Sequence, residues 1–365
     1  MDCNNNFSNN IANKLNFFDL MNYYAENNIS FVFIIDYELK SPLIFKLSEA
    51  NGLYINKYCK SNIINNKTIK IKYNIDGFKN YNQNNYNNKQ KNIKNYKNIS
   101  IKKFPINFET YNNRFKLVTD EQKKGNSFLL NLTFKTPIEI NNLSLENIFY
   151  LSNAKYKLYF IKDGYEFVVF SPETFINIDE KNRIFTYPIK GTTDTKLRNS
   201  KKNLLHNSKE LAEHLTVVDL LRNDLNIVSS EVKLNKFRYI EKIRTNADSL
   251  LQMVSEIEGK LKNNYIKKLG DIFLKLLPAG SISGAPKNKT IEIIKQAELE
   301  PRGYYTGVFG YYDGIRNCLK SSVMIRFIEN KDDKLYYRSG GGITIYSDAL
   351  KEYNEMIEKI YVPIY

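Results

Sequence analysis

One lysine stands in a turn with the sequence Tyr-Pro-Ile-Lys-Gly-Thr-Thr, at residues 187–193. The proline restricts the backbone before the lysine, and the glycine lets the backbone bend sharply or approach a ligand after it. A solvated lysine is protonated and not nucleophilic, but a lysine in a desolvated pocket can lose its proton and attack carbon. Lys190 is therefore a candidate nucleophile. The alternative is a surface lysine, in a chain with 54 Lys and Arg residues.

Several glutamates have positions that suit acid catalysis or a metal site. Glu173 follows a serine and a proline, and in a pocket its raised pKa would let it protonate a leaving group. Glu352, Glu355 and Glu358 recur every three residues along a predicted helix, and Glu213 lies on another. Mg²⁺ is held by one or two carboxylates together with ligand oxygens. The alternative for each of these glutamates is a solvated surface.

Two glycine-rich segments could bring backbone N–H groups close to an anion. Residues 280–287 (GSISGAPK) open a predicted helix that runs to about residue 296, with Pro286 at its first position, and the free N–H groups of a helix start attract anions. Residues 340–342 are three glycines, which suit a bulge, a hairpin or a close backbone approach. Neither segment matches the Walker A or Rossmann pattern. His214 is predicted to be a packing residue, because two histidines are too few for a Ser-His-Asp, Cys-His or zinc site.

The elements that must position these residues are mostly strands in the first half and helices in the second. Apolar runs predict strands at 31–35, 43–47, 127–134, 148–151, 156–161, 166–170, 175–178, 305–312, 321–327, 336–339 and 343–346. Helical spacing predicts helices at 108–124, from 207 with the apolar stripe Leu211, Leu215, Val218 and Leu221, at 246–261, and at 348–360 with Leu350 on its buried side. Short connections favour antiparallel sheets. Residues 80–98 are a low-complexity segment, predicted to be a surface loop.

The composition is that of a globular protein without membrane spans. Of 365 residues 42% are hydrophobic, and no apolar run approaches the roughly 20 residues that cross a bilayer. The three cysteines are scattered, so we expect reduced thiols and a cytoplasmic protein. The net charge of +15 suggests a nucleic-acid-binding protein, which stays a distant alternative. Residues 66–103 contain ten lysines, one acid and no arginine in an asparagine-rich segment, which is more typical of an AT-rich genome, so we expect no nucleic-acid partner.

From Gly125 onward the chain resembles the chorismate-utilising enzymes. The matching segments are Ser-Pro-Glu at 171–173, Pro-Ile-Lys-Gly-Thr at 188–192, AEHLTVVDLLRND at 212–224, GSISGAPK at 280–287, RGYYTGVFGY at 302–311 and RSGGGITIYSD at 338–348. Within this family, a lysine in Pro-Ile-Lys-Gly-Thr is similar to that of the aminodeoxychorismate synthases, component I, whereas anthranilate and isochorismate synthases have alanine there. Leu129 stands where the water-adding members have a base lysine. The resemblance implies an α+β fold, in which two antiparallel β-sheets pack face to face with helices outside and the site lies between them.

The resemblance also implies roles for individual residues. Lys190 would attack ring carbon 2 of chorismate while Glu173 protonates the departing 4-hydroxyl. Ammonia would then attack carbon 4 and expel the lysine, which gives 4-amino-4-deoxychorismate, a precursor in 4-aminobenzoate and folate biosynthesis. The acids that match the family's Mg²⁺ ligands are Glu213, Glu352 and Glu355. The residues that match its substrate-binding positions are Thr192, Ser281, Tyr305, Arg326, Gly340 and Gly342.

The resemblance further implies a partner and a division of the chain. No cysteine stands in a nucleophile turn, so we expect a glutamine amidotransferase subunit to supply ammonia, and we expect no fused lyase. We predict a short N-terminal region at 1–104 that contributes strands to the same fold, and a catalytic domain at 105–365. The N-terminal region lacks the Leu-Leu-Glu-Ser element of tryptophan-regulated relatives, so feedback by tryptophan is not implied. An anthranilate synthase large subunit is the near alternative.

Overall fold

The computed structural model describes residues 16–47, 62–64, 67–75, 100–141, 143–194, 201–202, 205, 208–244 and 249–363. Its strands form two antiparallel sheets of nine strands each, with helices on their outer faces. The predicted α+β fold of two face-to-face antiparallel sheets is thereby confirmed. The segment predicted as a loop at 80–98 lies outside the described residues. Within the described ranges, every helix is too short or too polar to cross a membrane.

The strands are β1 (Phe31–Ile35), β2 (Leu43–Lys46), β3 (Asn62–Ile64), β4 (Lys67–Ile75), β5 (Ile101–Lys103), β6 (Leu129–Ile140), β7 (Tyr156–Lys162), β8 (Tyr165–Ser171), β9 (Thr174–Ile178), β10 (Arg183–Thr186), β11 (Ile189–Asp194), β12 (Ser230–Arg244), β13 (Ser249–Lys260), β14 (Gly284–Ala285), β15 (Val308–Asp313), β16 (Cys318–Val323), β17 (Phe327–Lys331) and β18 (Lys334–Ile343). The first sheet has the order β11-β13-β10-β9-β16-β15-β1-β2, and β12 also pairs with β13. The second sheet has the order β14-β6-β18-β17-β8-β7-β4-β3, and β5 also pairs with β6.

The helices are α1 (Phe17–Glu26), α2 (Phe108–Lys123), α3 (Leu145–Leu151), α4 (Ser208–Val228), α5 (Leu269–Leu276), α6 (Gly280–Ser283), α7 (Lys287–Ala297) and α8 (Ala349–Glu358), with a 3₁₀-helix at Tyr265–Lys268. Helices α1, α4 and α5 pack on the first sheet, and α2, α3, α7 and α8 pack on the second. Asn107 and Asp348 cap α2 and α8, because each side chain accepts a hydrogen bond from a backbone N–H three residues later.

Alternate side chains of the central strand β1 enter two different cores. Val32 joins the core between the sheets, which also contains Phe309 of the first sheet and Phe167 of the second. Phe33 points to the opposite face, where its ring centroid lies 5.0 Å from that of Phe273 on α5. Because successive side chains of a strand face opposite sides, a fully apolar strand can serve both layers.

The prediction of a strand at 148–151 is wrong, because these residues end helix α3. Ser144 caps this helix, and its hydroxyl accepts a hydrogen bond from the backbone N–H of Asn147 at 3.2 Å. The apolar residues of the helix pack into the outer core of the second sheet. A short apolar run suits a buried helix as well as a buried strand, so periodicity cannot separate the two here.

The prediction of a helix at 246–261 is also wrong. The described part of this segment is β13, which pairs with β12 along one edge and with β10 and β11 along the other. Ile257 is buried between Glu256 and Glu258, which are partly exposed, and this alternation is the two-residue period of a strand. The partner strand β12 is missing from the prediction.

Two further helix predictions are right for most of their apolar residues, but each places one exposed leucine inside. In α4 the buried residues include Val217 and Val218, whereas Leu215 of the predicted apolar stripe is 47% exposed. In α8 the predicted core residue Leu350 is 52% exposed, and Glu352 is only 5% exposed. Each helix therefore turns one face toward the space between the sheets. Sequence hydrophobicity does not identify that face.

The helix predicted from Pro286 to about residue 296 is α7, and the glycine-rich segment predicted before it contains the short helix α6 and the short strand β14. Pro286 is the N-cap residue of α7, not its first helical residue. Gly284 has φ +129° and pairs with Leu130 of β6. A Cβ atom at this glycine would collide with the backbone carbonyl of Leu129. The glycine therefore allows the chain to join β6 between the two helices.

A buried ion pair fixes α6 against β6. The side chains of Arg302 and Glu298 are 1% and 5% exposed, and their charged atoms are 2.6 Å apart. Arg302 also donates hydrogen bonds to the carbonyls of Ile282 at 2.8 Å and Asn131 at 2.7 Å. Glu298 accepts hydrogen bonds from the backbone N–H and the hydroxyl of Thr133. The charged groups of Arg302 and Glu298 therefore have an opposite charge and hydrogen-bond partners inside the protein.

We expect Glu298→Ala to lower the free energy of unfolding by about 3–5 kcal/mol, because it leaves a buried guanidinium without its counter-charge. Glu292→Ala is the matched control on the neighbouring helix: Glu292 pairs with Lys289 at 2.9 Å, but the two side chains are 60% and 49% exposed. Exposed pairs contribute less than about 1 kcal/mol. Urea unfolding of both variants tests the difference, and equal losses of stability would contradict it.

Candidate active site

A cleft of about 440 Å³ lies between the sheets, lined by β6 and β18 of the second sheet, β11 and β13 of the first, and α4, α6 and α8. The predicted site residues that line it are Glu173, Lys190, Glu213, Ser281, Tyr305, Arg326, Gly340, Gly342, Glu352 and Glu355. The side chain of Thr192 lies outside the described part of the structure. Residues far apart in the sequence thus meet in one cavity of the size that holds small molecules.

Lys190 reaches the cleft from a break in β11. The pairing of β11 with β13 shifts register between Lys190 and Thr192, and Gly191 between them has φ +70°. A bulge of this kind bends the strand and redirects a side chain, and glycine adopts the required backbone conformation without strain. The lysine Nζ atom lies 3.5 Å from Oε2 of Glu213 on α4. The Lys-Gly-Thr sequence therefore positions an amine in the cleft.

Glu173 is fixed in the connection between β8 and β9. Its backbone carbonyl accepts a hydrogen bond from the hydroxyl of Ser322 at 2.7 Å, and its side chain accepts one from the hydroxyl of Ser281 on α6. Burial raises the pKa of the carboxyl, and the hydrogen bond from Ser281 and the charges of Lys190 and Arg326 offset part of that rise. A carboxyl that holds its proton more firmly than usual can serve as a general acid.

The three glycines continue β18 past the cleft and form no hairpin. Gly340 pairs with Thr133 of β6, and a Cβ atom there would lie 2.7 Å from the Cα of Thr133. A Cβ atom at Gly342 would lie 3.1 Å from Cδ1 of Leu129 and 4.0 Å from Nζ of Lys190. At Gly340 the close approach of the β6 backbone requires glycine. At Gly342 the absence of a side chain keeps space open beside Lys190.

Three carboxylates face the cleft and have the chemistry of a hard-cation site. A Cβ atom at Gly341 would lie 3.3 Å from Oε2 of Glu352 and 4.0 Å from Oε1 of Glu355, so both acids of α8 lie over one glycine. Glu213 lines the cleft from α4, whereas Glu358 is exposed outside it. No three His, Cys, Asp or Glu side chains among the described residues are grouped closely enough to hold a metal alone. The set still fits Mg²⁺, which needs one or two carboxylates and completes its shell with water and ligand oxygens.

Arg326 and Tyr305 give the cleft the donors that an anionic ligand needs. Arg326 has φ +54°, which is uncommon for a residue with a side chain, and its Nε donates a hydrogen bond to the hydroxyl of Tyr361 at 3.3 Å. Tyr305 is buried, and burial raises the pKa of its phenol to about 12, so it is a neutral donor at physiological pH. A guanidinium matches the fork of a carboxylate.

Lys359 and Asn131 also line the cleft, although they are absent from the predicted site residues. The Nζ of Lys359 donates a hydrogen bond to the carbonyl of Gly340 at 2.9 Å and lies 2.7 Å from Oε1 of Glu355. This lysine follows Glu355 by four residues, so helical spacing could have identified it. Asn131 holds α6 in place, because its Nδ2 donates a hydrogen bond to the carbonyl of Ser281 at 3.0 Å. A single amide in a strand carries no comparable sequence signal.

His214 packs between α4 and β13 and is outside the set of residues that line the cleft. Its side chain is fully buried, and its Nε2 lies 2.6 Å from the hydroxyl of Ser255. Burial lowers the pKa of the ring to about 4, with smaller contributions from the charges of Arg238 and Lys190. The imidazole is therefore neutral at physiological pH and has a structural contact.

The protein is similar to several curated relatives. It is 46% identical over 351 residues to an uncharacterized PabA-like protein of Haemophilus influenzae, which covers 95% of this chain and 96% of that protein. It is 34% identical over 216 residues to aminodeoxychorismate synthase component 1 of Bacillus subtilis, which covers 57% of this chain and 44% of that protein. It is also 34% identical over 216 residues to anthranilate synthase component 1 of Neisseria meningitidis serogroup B, which covers 57% of this chain and 42% of that protein.

Among solved structures, anthranilate synthase component I of Streptococcus pneumoniae matches with a TM-score of 0.60 at 26% sequence identity, over 72% of this chain and 58% of that chain. The family model described as chorismate binding enzyme matches residues 3–364. This match includes every segment that forms the cleft, from Asn131 on β6 to Lys359 after α8. The chain therefore belongs to the family of chorismate binding enzymes.

Proposed function

We propose that this enzyme aminates chorismate to 4-amino-4-deoxychorismate through a covalent adduct on Lys190. The observation that carries this proposal is the lysine amine in the open space beside Gly342, in the same cleft as the Glu173 carboxyl. Similarity to aminodeoxychorismate synthase component 1 supports it. Anthranilate synthase component 1 is equally similar, so an anthranilate-forming enzyme is the second candidate.

The chemistry divides one difficult substitution into two easier ones. The Lys190 amine attacks ring carbon 2, both conjugated ring double bonds shift by one position through carbons 1, 6 and 5 toward carbon 4, and the bond between carbon 4 and its hydroxyl breaks. Glu173 gives a proton to that oxygen, which leaves as water, while the lysine nitrogen loses a proton. Ammonia then attacks carbon 4 and loses a proton, both ring double bonds shift back, and the lysine leaves carbon 2 as a free amine after it takes up a proton.

The surroundings of the lysine support amination over hydration of the ring. Leu129 is 5% exposed, and its Cδ1 lies 3.1 Å from the Cβ position of Gly342, which is close to the lysine Nζ. An apolar side chain cannot activate a water molecule, so this wall of the cleft offers no base for hydroxide attack. Arg326 and Tyr305 suit the enolpyruvyl carboxylate of chorismate, since they supply a positive charge and a neutral donor.

We further propose that Glu213, Glu352 and Glu355 hold Mg²⁺. When bound, the cation supplies positive charge for the ring carboxylate of chorismate, which the three glutamates would otherwise repel. Ser281 and the backbone of Gly340 and Gly342 complete the proposed substrate contacts, together with Thr192.

We expect Glu355→Gln to raise the Mg²⁺ concentration that gives half-maximal activity by about tenfold or more, because one charge that offsets the cation is lost. Glu358→Gln is the matched control, since Glu358 lies on the same helix but is exposed outside the cleft. Calorimetric titration with Mg²⁺ in the presence of chorismate should show weaker Mg²⁺ binding by Glu355→Gln than by Glu358→Gln. If both variants keep the wild-type Mg²⁺ requirement, the glutamates of α8 are only a solvated face.

A glutamine amidotransferase subunit is the proposed source of ammonia. We expect the purified chain to aminate chorismate with ammonium salts at alkaline pH, where free ammonia is available, and to show no turnover with glutamine. Addition of a glutaminase subunit should restore glutamine-dependent turnover. Glutamine-driven turnover by the isolated chain would contradict the proposed partner.

Analysis of the product by mass spectrometry separates the two candidate functions. The proposed reaction keeps the enolpyruvyl group, so the product should be 4-amino-4-deoxychorismate without release of pyruvate. An anthranilate synthase would release one pyruvate for each amination. Pyruvate formed in step with amination would therefore establish the second candidate.

A further inference from the structure

A second cavity, of about 500 Å³, adjoins the catalytic cleft between the two sheets. The two spaces share five residues as walls: Pro172, Tyr187, Ile189, Gln252 and Arg326. Side chains normally interdigitate between packed sheets and leave no space of this size. Here Asn177 of β9 and Lys320 of β16 line an open polar space instead. Lys155, Lys236 and Glu241 are exposed, so the space opens to solvent, and its volume is that of a small-molecule site.

The charge of this second cavity favours an anion. The charged side chains that line it are Lys155, Lys236, Lys320 and Arg326, against Glu241 and Glu256. Both acids already have partners: Glu256 lies 3.6 Å from Nζ of Lys236, and Glu241 accepts a hydrogen bond from the hydroxyl of Tyr239 at 3.1 Å. Four cations against two acids leave a net excess of positive charge in the lining, and a carboxylate forms strong charge-assisted contacts with lysine and arginine.

The aromatic walls of the second cavity favour a flat ring. The tyrosines that line it are Tyr156, Tyr187, Tyr239 and Tyr361. Two cations lie against these rings: Nζ of Lys155 is 5.3 Å from the ring centroid of Tyr187, and the guanidinium carbon of Arg326 is 5.1 Å from that of Tyr361. A ligand ring can pack on a tyrosine while its carboxylate meets a neighbouring cation.

We propose that the second cavity binds a small aromatic carboxylate and that its occupancy opposes chorismate binding. Arg326 connects the two spaces, because it lines both and bonds to Tyr361 within the second cavity. An aromatic carboxylate that pairs with this guanidinium in the second cavity competes with its contact with the enolpyruvyl carboxylate of chorismate. This coupling rests on the proposed function, whereas the binding of the aromatic carboxylate does not.

Titration of the full chain with 4-fluorobenzoate, followed by ¹⁹F NMR, tests the site. We expect saturable binding that Lys320→Gln weakens about tenfold, since one charge-assisted contact is lost. Lys155→Gln, at the other side of the tyrosine walls, should weaken binding similarly. Lys334→Gln is the matched control, because Lys334 is exposed at the start of β18, away from the cavity. Absence of saturable binding, or equal binding by Lys320→Gln and Lys155→Gln and the wild type, overturns the proposed site.

Steady-state kinetics test the coupling between the two spaces. We expect 4-fluorobenzoate to raise the KM for chorismate with kcat unchanged in the wild type, and to have a much smaller effect in Lys320→Gln. Equal inhibition of both proteins would contradict the coupling, since the probe would then act in the catalytic cleft. The NMR titration needs no turnover, so failure of the proposed amination and failure of the second site are distinguishable.

Discussion

Lys190→Met should lower the rate of aminodeoxychorismate formation by about 10³-fold or more, because a thioether cannot form the covalent adduct. The side chain is 28% exposed and lies at a bulge of β11, so methionine fits the same space and the fold should be kept. The rate of product formation from chorismate and ammonium, measured by mass spectrometry, gives the result.

Lys242→Met is the matched control for this substitution. Lys242 lies on β12, which pairs with the same strand β13 as β11, but its side chain is exposed to solvent. We expect the control to keep wild-type activity. If Lys190→Met turns over at the wild-type rate, the amine is not the nucleophile and the enzyme adds ammonia directly.

Glu173→Gln should slow adduct formation on the order of 10²–10⁴-fold, the range for loss of a general acid. Burial raises the pKa of this carboxyl, so it keeps its proton to higher pH than an exposed glutamate does. A general acid works in its protonated form, and the rate of adduct formation should therefore fall as pH rises through that raised pKa. Single-turnover measurements without ammonia are required, because ammonia itself titrates at alkaline pH.

Ser281→Ala provides the companion test for the acid. The hydroxyl of Ser281 donates a hydrogen bond to the Glu173 carboxylate and lowers its pKa. Its removal should shift the alkaline limb of the pH profile to higher pH, whereas Glu173→Gln should remove that limb. A wild-type pH profile in Glu173→Gln would assign the proton transfer to another group.

The sequence predicts the residues of the candidate cleft better than the helices and strands that carry them. Lys190, Glu173 and the glutamates of α8 stand in short segments whose residue types and order are specific, and these segments line one cavity. The predicted apolar stripe of α4 is incomplete: Val218 is buried and Leu215 is exposed, and the helix also buries His214 and Asp224. Hydrophobicity alone cannot identify a helix face that contributes to a polar cleft.

The largest errors concern segments whose structure depends on distant partners. β13 is a strand because it pairs with β10, β11 and β12, and none of these pairings can be read from its own sequence. The position of Lys359 in the cleft depends on its hydrogen bond to the carbonyl of Gly340, which belongs to a different element. The second cavity likewise arises from residues of strands and loops that the sequence separates widely.

Intact-protein mass spectrometry of the enzyme incubated with chorismate and Mg²⁺, without ammonia, tests the central claim most directly. The proposed mechanism predicts an adduct that adds the mass of chorismate less one water, that maps to Lys190 in peptide analysis, and that disappears when ammonia is added. Lys190→Met should show no such adduct. Unmodified wild-type enzyme under these conditions, together with normal amination once ammonia is supplied, would contradict covalent catalysis by Lys190.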